Sequence, residues 1–453
     1  AAGDAPELAL LRAEILGSLS SDYDNLDRFD DATRALDEAL ALTERHAPED
    51  PARLAAVLAS AGHVAARHGD YPKARGYLER ALGLHARLGP PDPVQHADAL
   101  RGLAVVEVSE GNAAASIART DEGLALLAGQ PALAPARIEL WRVKGRAQAD
   151  IGDAEGGVQT LRQALDVART VLGPENNKVA NIENDLATML SPLGRYREAI
   201  THLETSLAIT RKLRPDDAAG TAVIVENLGS MYESLGDYAR AEALMREGIA
   251  ALEQGNPGEP LLPKFRANLA RTLALRGQLD AALALGRTAL DQVAAAEGRE
   301  SFHYGVELFR YTRIEIRAGR LDEAQRDLDA AYALLDAQLP AEHALRAHFR
   351  RQHGLLAWAH HDLAGARREI GAAVEALGRL KSNDPVALAE VRSELAEVLL
   401  ASGDAAGARR TIDRALPVLA ASLIAEAPVL KKAEERAAAI MRTEAAAPVT
   451  PSG

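Results

Sequence analysis

The sequence predicts an all-α protein: an α-solenoid of about ten helical hairpins that form a right-handed superhelix. A marker residue recurs at intervals of about 42 residues along almost the whole chain, and small residues recur seven positions before it and five and twelve positions after it. A fixed repeat of this length indicates a solenoid, in which each unit buries its apolar face against its neighbours only. The markers are Asp27, Gly69, Gly111, Gly152, Gly194, Gly236, Gly277, Gly319, His361 and Gly403.

Each copy is predicted to contain two helices separated by the marker. In the sixth copy, apolar residues follow helical spacing over 222–235, and Gly236 then interrupts the pattern. A second helix is expected from Tyr238 to about Glu253, where a segment with glycine and proline, 255–258, ends it. The composition agrees, because 4% aromatic and 47% hydrophobic residues are typical of an alanine-rich helical array.

The small residues predict close contact between helices. Helices approach closely only where the contacting side chains are small, as at Gly229, Ala241 and Gly248 of the sixth copy. One position after the third small residue, every copy has a large apolar residue, which we expect to fill the space between helices. These large residues are Leu40, Leu82, Leu124, Leu165, Leu207, Ile249, Leu290, Tyr332, Val374 and Leu416.

The repeat resembles that of the tetratricopeptide family, in the long form of about 42 residues found in kinesin light chains and many bacterial regulators. Residues 227–242, Asn-Leu-Gly-Ser-Met-Tyr-Glu-Ser-Leu-Gly-Asp-Tyr-Ala-Arg-Ala-Glu, match the family pattern nearly residue for residue. The resemblance covers about residues 8–425, although Ala113 and Ala154 replace the aromatic residue of the turn and His361 replaces its glycine. It implies a concave surface, lined by the first helix of each copy, that binds peptides or proteins.

The first copy resembles the repeat that follows the kinase domain of membrane-anchored bacterial serine/threonine kinases. The similarity lies in residues 14–19 and 23–32. It implies that the chain is the C-terminal repeat region of such a kinase-like protein and lies in the periplasm; a cytoplasmic location is the alternative. Because the chain begins at Ala1 without a methionine, we expect it to be a piece of a longer protein.

Three regions are predicted along the chain. Residues 1–425 form the solenoid of ten repeats. Residues 426–443 are polar, and we expect them to form a C-terminal capping helix that solvates the last hairpin. Residues 444–453 are rich in alanine, proline and threonine and are expected to form a disordered tail.

The sequence contains no catalytic motif, so the chain is not predicted to be an enzyme, and neither a cofactor nor a metal is expected. Phosphate-binding glycine loops and nucleophile elbows are absent from the sequence. Five histidines cluster between positions 343 and 361, but no two of them are four residues apart, as ligands on one helical face would be. The lack of cysteine excludes disulfides and cysteine-bound zinc. No apolar run reaches the roughly 20 residues that cross a bilayer.

Candidate binding residues lie on the first helices, nine positions before the marker. From Asp185 onwards this position is polar, and it adjoins an apolar row. It therefore marks a solvent-exposed helix face beside the face that packs against other helices. The family resemblance implies that Asn227 and Asn268 hold the main chain of a bound peptide, a task that suits an amide because it both donates and accepts. The binding candidates of this row are Asp185, Asn227, Asn268, Arg310 and Gln352.

Arginines on the same face predict a preference for anionic partners. Arg310, Arg313 and Arg317 are spaced i, i+3, i+7 and therefore share one stripe of a helix. Arg271 lies at a similar height in the preceding copy, and the net charge of −13 means that such a basic patch would be local. Guanidinium groups suit bidentate capture of carboxylate or phosphate. The alternative is pairing of these arginines within the chain, for instance with Glu315.

We therefore expect a peptide- or protein-binding scaffold or regulatory sensor that holds an acidic or anionic partner in its concave groove. Two alternatives stay open: a structural protein that assembles with other copies of itself, and a receptor for a small molecule or signal peptide. Nucleic acid is disfavoured as a partner because the net charge is negative and no basic stripe alternates with aromatic residues. Direct insertion into a membrane is not expected, and the oligomeric state is left open.

Overall fold

The structure is a computed structural model, and it describes residues 6–25, 28–87, 92–255, 259–340, 343–380 and 384–446. Within these ranges it contains 21 α-helices, three short 3₁₀ helices and no strand, which confirms the predicted all-α class. The chain divides into two compact units: unit 1 is Ala1–Asp185 and unit 2 is Leu186–Gly453.

Unit 1 consists of consecutive helical hairpins. The pairs are α1 (Pro6–Asn25) with α2 (Phe29–His46), α3 (Pro51–Arg67) with α4 (Tyr71–His85), α5 (Pro93–Ser109) with α6 (Ala113–Leu126), and α7 (Ala134–Asp150) with α8 (Ala154–Leu172). A 3₁₀ helix, Pro131–Leu133, precedes α7. Helix α9 (Asn177–Leu190) begins the fifth hairpin and extends across the boundary between the units.

Unit 2 continues the same pattern and ends on a single helix. After α10 (Tyr196–Leu213), the pairs are α11 (Ala218–Leu235) with α12 (Tyr238–Gly255), α13 (Leu262–Leu275) with α14 (Leu279–Glu297), α15 (Phe302–Arg317) with α16 (Leu321–Leu335), α17 (Ala344–Ala359) with α18 (Leu363–Arg379), and α19 (Pro385–Ala401) with α20 (Ala405–Ser422). Short 3₁₀ helices cover Ser191–Leu193 and Asp336–Gln338. The final helix, α21 (Pro428–Ala446), packs on α20 and α19, where the first helix of an eleventh hairpin would lie.

The markers form the turns between paired helices. The eight marker glycines have φ between 71° and 90°, and His361 has φ 62°, which makes it the one non-glycine residue with positive φ in the described ranges. Glycine favours this left-handed region because it has no Cβ atom. Asp27, the marker of the first copy, lies outside the described residues.

Aspartate residues start many of the helices. The side chain of Asp70, directly after its marker, accepts a hydrogen bond from the backbone N–H of Lys73 at 3.1 Å. Asp153, Asp362 and Asp404 cap their helices in the same way. Such caps satisfy N–H groups that have no partner in the first turn of a helix. A marker followed by aspartate therefore ends one helix and starts the next.

The small residues lie where helices touch. Ala241 is fully buried, and a Cβ atom at Gly229 would lie 2.5 Å from Cε of Met245 on the paired helix. A Cβ atom at Gly248 would lie 2.1 Å from Cε1 of Phe265, on the first helix of the next hairpin. The first small row therefore governs the spacing within a hairpin, and the third row governs the spacing between hairpins.

The row of large residues is less buried than predicted. The expectation is wrong for Tyr332, whose side chain is 39% exposed. Fully buried side chains lie one helical turn earlier on the same helices, at Leu328, Met245 and Ile370. Residues one turn apart share a helical face, so the pattern identifies the contact face without identifying which of its residues lies deepest.

The C-terminal helix differs from its predicted limits. It begins at Pro428 and ends at Ala446, so residues 444–446 are helical, although the sequence predicts a disordered tail from residue 444. Alanine is the strongest helix former, which accounts for the extension. Residues 447–453 lie outside the described part of the chain. None of the described helices has both the length and the apolarity needed to cross a membrane.

Unit 2 contains contacts that the solenoid pattern does not predict. The guanidinium group of Arg197 on α10 donates to the carbonyl oxygen of Leu423 at 2.8 Å, across 226 residues of sequence. The backbone N–H of Ile424 donates to the carbonyl oxygen of Leu235 at 3.1 Å. The fifth and sixth hairpins therefore touch the end of the tenth, a contact between distant repeats that adds to the packing of neighbouring hairpins.

Candidate functional site

The first helices of unit 2 surround a cavity of about 340 Å³, which we name the interior cavity. Side chains from α11, α13, α15, α17, α19 and α21 line it. An adjoining space of about 180 Å³ shares five of its charged residues. The charged side chains of the interior cavity are Glu233, Arg271, Arg313, Arg317, Arg351, Asp384, Glu390, Glu394, Lys432 and Arg436.

The structure brings together only some of the residues predicted to bind a partner. Arg271, Arg313 and Arg317 line the interior cavity. Asp185 belongs to unit 1, where its carboxylate pairs with a neighbouring arginine at 2.7 Å. Arg310 pairs with a glutamate one turn earlier on its own helix at 2.5 Å. Pairing within the chain, the alternative for the arginines, is therefore observed for Arg310, and also for Arg271, which pairs with Glu233 at 2.6 Å.

The predicted amide row joins neighbouring first helices. Asn268 is 5% exposed, and its Nδ2 donates to Oε1 of Glu226 at 2.7 Å. Gln352 is also buried, and its Nε2 donates to the carbonyl oxygen of Phe309 at 3.3 Å. Both amides are therefore engaged within the protein, and their contact with a partner stays a prediction. Asn227, by contrast, is half-buried on α11.

Four carboxylates line the interior cavity, and each of them has a partner. Glu233 accepts from Nε of Arg271 at 2.6 Å. Glu394 accepts from Nε and Nη2 of Arg351 at 2.8 and 2.7 Å, and Glu390 accepts from the same guanidinium group at 3.2 Å. The fourth carboxylate, an aspartate, caps α19. The acidic side chains of the cavity are therefore already engaged by the protein.

Three cations of the cavity wall are different. Arg313, Arg317 and Lys432 form neither a hydrogen bond nor an ion pair with any group that the structure describes. Arg313 is half-buried, and the charge of Arg351, together with burial, lowers the pKa of Arg313 to about 10. Its guanidinium group is still charged at neutral pH. A lowered pKa means that the surroundings disfavour this positive charge, and an anion beside it would relieve the repulsion.

The interior cavity is positively charged overall. It contains six arginine or lysine side chains against four carboxylates, within a chain of net charge −13. Burial and the charges of Arg351 and Arg313 lower the pKa of His348 to about 4, so this imidazole is neutral at pH 7 and offers one donor and one acceptor. Unpaired guanidinium and ammonium groups beside a neutral imidazole suit carboxylate or phosphate.

Two residues of the cavity wall, Lys432 and Arg436, are missing from the predicted site because α21 lies beyond the tenth copy. A signal is nevertheless present in the sequence. Arg436 follows Glu394 by one repeat length, and Lys432 follows Glu390 by the same distance. Extending the row by one further period therefore identifies α21 as part of the wall.

A larger cavity, of about 580 Å³, lies between α16, α17 and α18. Its cations are neutralised within the protein: Arg350 pairs with Glu369 at 3.4 Å, and Arg379 pairs with Glu375 at 3.4 Å. Two of the clustered histidines line it, but no group of three or more metal-binding side chains comes together among the residues described. The interior cavity is the better candidate site because three of its six cations, Arg313, Arg317 and Lys432, have no partner among the described residues.

Comparisons with known proteins identify the repeat. Models of the tetratricopeptide repeat match residues 12–52, 137–212 and 178–254. No curated protein matches the sequence significantly. Among solved structures, the apo form of the quorum sensor NprR from B. thuringiensis is similar, with a TM-score of 0.56 and 13% identity over 80% of this chain and 97% of that chain.

Two further structures show a comparable similarity. A Rap protein complexed with Competence and Sporulation Factor has a TM-score of 0.53 and 17% identity, over 81% of this chain and 99% of that chain. A signal transduction ATPase with a tetratricopeptide repeat sensor, from Pyrococcus horikoshii, has a TM-score of 0.53 and 12% identity, over 72% of this chain and 48% of that chain. At these identities the similarity shows the fold alone. The repeat models, the marker spacing and the helical hairpins agree, and the chain therefore contains tetratricopeptide repeats.

Proposed function

We propose that the chain is a regulatory sensor or scaffold, without enzymatic activity of its own, that binds a peptide or protein segment in unit 2. Arg313, Arg317 and Lys432 hold carboxylate or phosphate groups of the ligand. One observation carries this proposal: these cations line a cavity and have no partner among the described residues, although every carboxylate of that cavity is engaged.

The energetics favour an anionic ligand. A hydrogen bond to a charged group contributes about 1.5–3 kcal/mol, and guanidinium groups bind carboxylates in a bidentate way. Arg313 and Arg317 lie one turn apart on α15, so one ligand group can contact both. Asn227, half-buried on α11, does not line the interior cavity, so we propose its amide only for contact with the main chain of a ligand that extends beyond the cavity.

The similar structures support a sensor by analogy of fold. One of them is a quorum sensor, one is a Rap protein complexed with a factor, and one carries a tetratricopeptide repeat sensor. Since a fold does not determine a function, this analogy adds only to what the charges of the cavity indicate.

Isothermal titration calorimetry with triglutamate tests the proposal. Its neutral analogue triglutamine tests the need for charge, and pyrophosphate distinguishes phosphate from carboxylate as the preferred group. The test variant is Arg313→Gln with Arg317→Gln, which removes both charges at similar side-chain size. Arg310→Gln is the matched control, because Arg310 lies on the same helix, is paired with Glu307 and does not line the interior cavity.

We expect an acidic or phosphate probe to bind the wild type and the control equally. The double variant should bind at least about tenfold more weakly, since each tenfold corresponds to 1.4 kcal/mol. Binding should also weaken as salt is added, because the attraction is electrostatic. The anionic preference would be contradicted if triglutamate bound all three proteins with the same affinity, or if triglutamine bound as tightly as triglutamate.

A further inference from the structure

Contacts between the start and the end of unit 2 complete the wall of the interior cavity. We propose that these contacts form a clasp that opens to admit ligand, so that the cavity takes a short anionic ligand, such as a peptide of a few residues, and excludes folded proteins. The clasp consists of Tyr196, Arg197 and Leu235 on one side, and of Asp384 and residues 421–424 on the other. This inference rests on the proposed function, because it concerns access to the same cavity.

Arg197 makes the central contact of the clasp. Its guanidinium group donates to the carbonyl oxygens of Ala421 and Ser422, both at 3.3 Å, and of Leu423 at 2.8 Å. These carbonyls lie at the C-terminal end of α20, where they lack partners within the helix and where the helix dipole is negative. A single exposed side chain therefore ties α10 to the end of α20.

Further contacts flank this arginine. The backbone N–H of Ile424 donates to the carbonyl at the end of α11 at 3.1 Å, and the hydroxyl of Tyr196 donates to Oδ2 of Asp384 at 3.2 Å. Gly236 permits the approach, because a Cβ atom there would lie only 2.3 Å from Cβ of Ala427. Tyr196, Gly236 and Asp384 also line the interior cavity, so the clasp forms part of its wall.

The clasp is the junction of unit 2 that can open at least cost. Consecutive hairpins are joined by buried apolar contacts, such as that of Phe265 against Gly248. The clasp combines hydrogen bonds from the exposed Arg197 and from a backbone amide with the buried side chains of Tyr196 and Leu423. The helices on its two sides contact each other less extensively than those of consecutive hairpins, so separating them exposes less apolar surface. The hairpins stay intact meanwhile, because each one is stabilised by its own neighbours.

The dimensions of the closed site indicate the size of the ligand. The interior cavity of about 340 Å³ and the adjoining 180 Å³ together fall in the range of sites for small ligands. Arg313, Arg317 and Lys432 border both spaces, so anionic groups of one short ligand can reach all three cations. Arg313 is half-buried, whereas Arg317 and Lys432 are exposed, so it is the size of the two spaces, and not burial of the cations, that limits the ligand.

The lack of cysteine in the chain allows a direct test of the clasp. Leu275→Cys places a single thiol in the wall of the interior cavity, and its alkylation by a bulky polyethylene-glycol maleimide reports access. The reporter is combined with Arg197→Ala, which opens the clasp, or with Arg211→Ala as matched control. Arg211 lies on the same helix and pairs with Glu247 outside the clasp. Ala281→Cys, at an exposed position of α14, reports the intrinsic rate of the reagent.

We expect Arg197→Ala to raise the alkylation rate at position 275 by about tenfold over the wild type, because the rate follows the population of the open state. Arg211→Ala should leave that rate unchanged, and neither substitution should affect position 281. N-ethylmaleimide, which is small, should react at position 275 at similar rates in all three backgrounds. Equal rates with the bulky reagent in the Arg197 and Arg211 variants would overturn the clasp.

Hydrogen exchange at the Ile424 amide provides a second readout that needs neither ligand nor cysteine. The clasp predicts slow exchange in the wild type and fast exchange in Arg197→Ala, and fast exchange in the wild type would refute it. Binding of triglutamate separates the two proposals. If Arg313→Gln with Arg317→Gln leaves that binding unchanged while the clasp assays respond, then the proposed anionic ligand is wrong and the closure of the cavity stands.

Discussion

Replacing Gly229 by leucine tests the contact made by the first row of small residues. An added Cβ atom at this position on α11 would lie 2.5 Å from Cε and 3.5 Å from Sδ of Met245. Met245 is fully buried, so the end of its side chain can move only by displacing other packed side chains. Alanine requires a shift of this one flexible end, whereas leucine brings three further carbon atoms into a filled space.

The magnitude follows from two opposing terms. Removing a glycine from a helix interior stabilises it by about 0.8 kcal/mol, since leucine is a much better helix former. Overpacking a filled core costs about 1–3 kcal/mol. Gly371 on α18 provides a control, because an added Cβ atom there has no neighbour within 4 Å. The gain in helix propensity is common to both positions, so the difference between Gly371→Leu and Gly229→Leu isolates the packing cost of about 1–3 kcal/mol.

Thermal unfolding followed by helical circular dichroism measures this difference. We expect Gly229→Leu to melt several degrees below Gly371→Leu, because each kcal/mol corresponds to about 2–4 °C in a unit of comparable size. Gly229→Ala should fall between these two variants. Equal Tm values for the two leucine variants would refute the assignment of Gly229 to a close helix contact.

Three further predictions concern charge and backbone conformation. Burial and the charge of Asp327 raise the pKa of Glu315 from 4.5 to about 8. Between these two pH values its carboxyl group is protonated in the native state and ionised in the unfolded state. Stability should therefore fall as pH rises through the window, by at most about 1.4 kcal/mol per pH unit, and urea unfolding of Glu315→Gln should not show that fall. His361→Gly should raise Tm, because it removes the penalty of about 1–2 kcal/mol for a non-glycine residue at φ 62°, and an unchanged Tm would contradict this. Arg351→Ala should lower the free energy of unfolding in urea by about 3–5 kcal/mol, because Glu394 loses its bidentate partner, and a loss below about 1 kcal/mol would count against that role.

The candidate site was only partly predictable from the sequence. Arg313 and Arg317 line the interior cavity, and their common face was predictable because positions one turn apart on a helix lie together whatever surrounds them. Their lack of a partner was not predictable, since Arg271, equally placed in the pattern, pairs with Glu233 at 2.6 Å. Pairing depends on the lateral distance between neighbouring first helices. The spacing of residues along a single helix gives no information about that distance.

The sequence by itself determined the hairpin. The turn marker, the aspartate cap and the small residues act within one repeat or between adjacent repeats, and their recurrence at a nearly constant interval makes them visible. Only the tertiary structure decided that unit 2 closes. Arg197 and Leu423 are 226 residues apart, and their contact occurs once, so it leaves no periodic signal. It results from the small rotation that each hairpin adds to the one before it, and this sum depends on every interface between them.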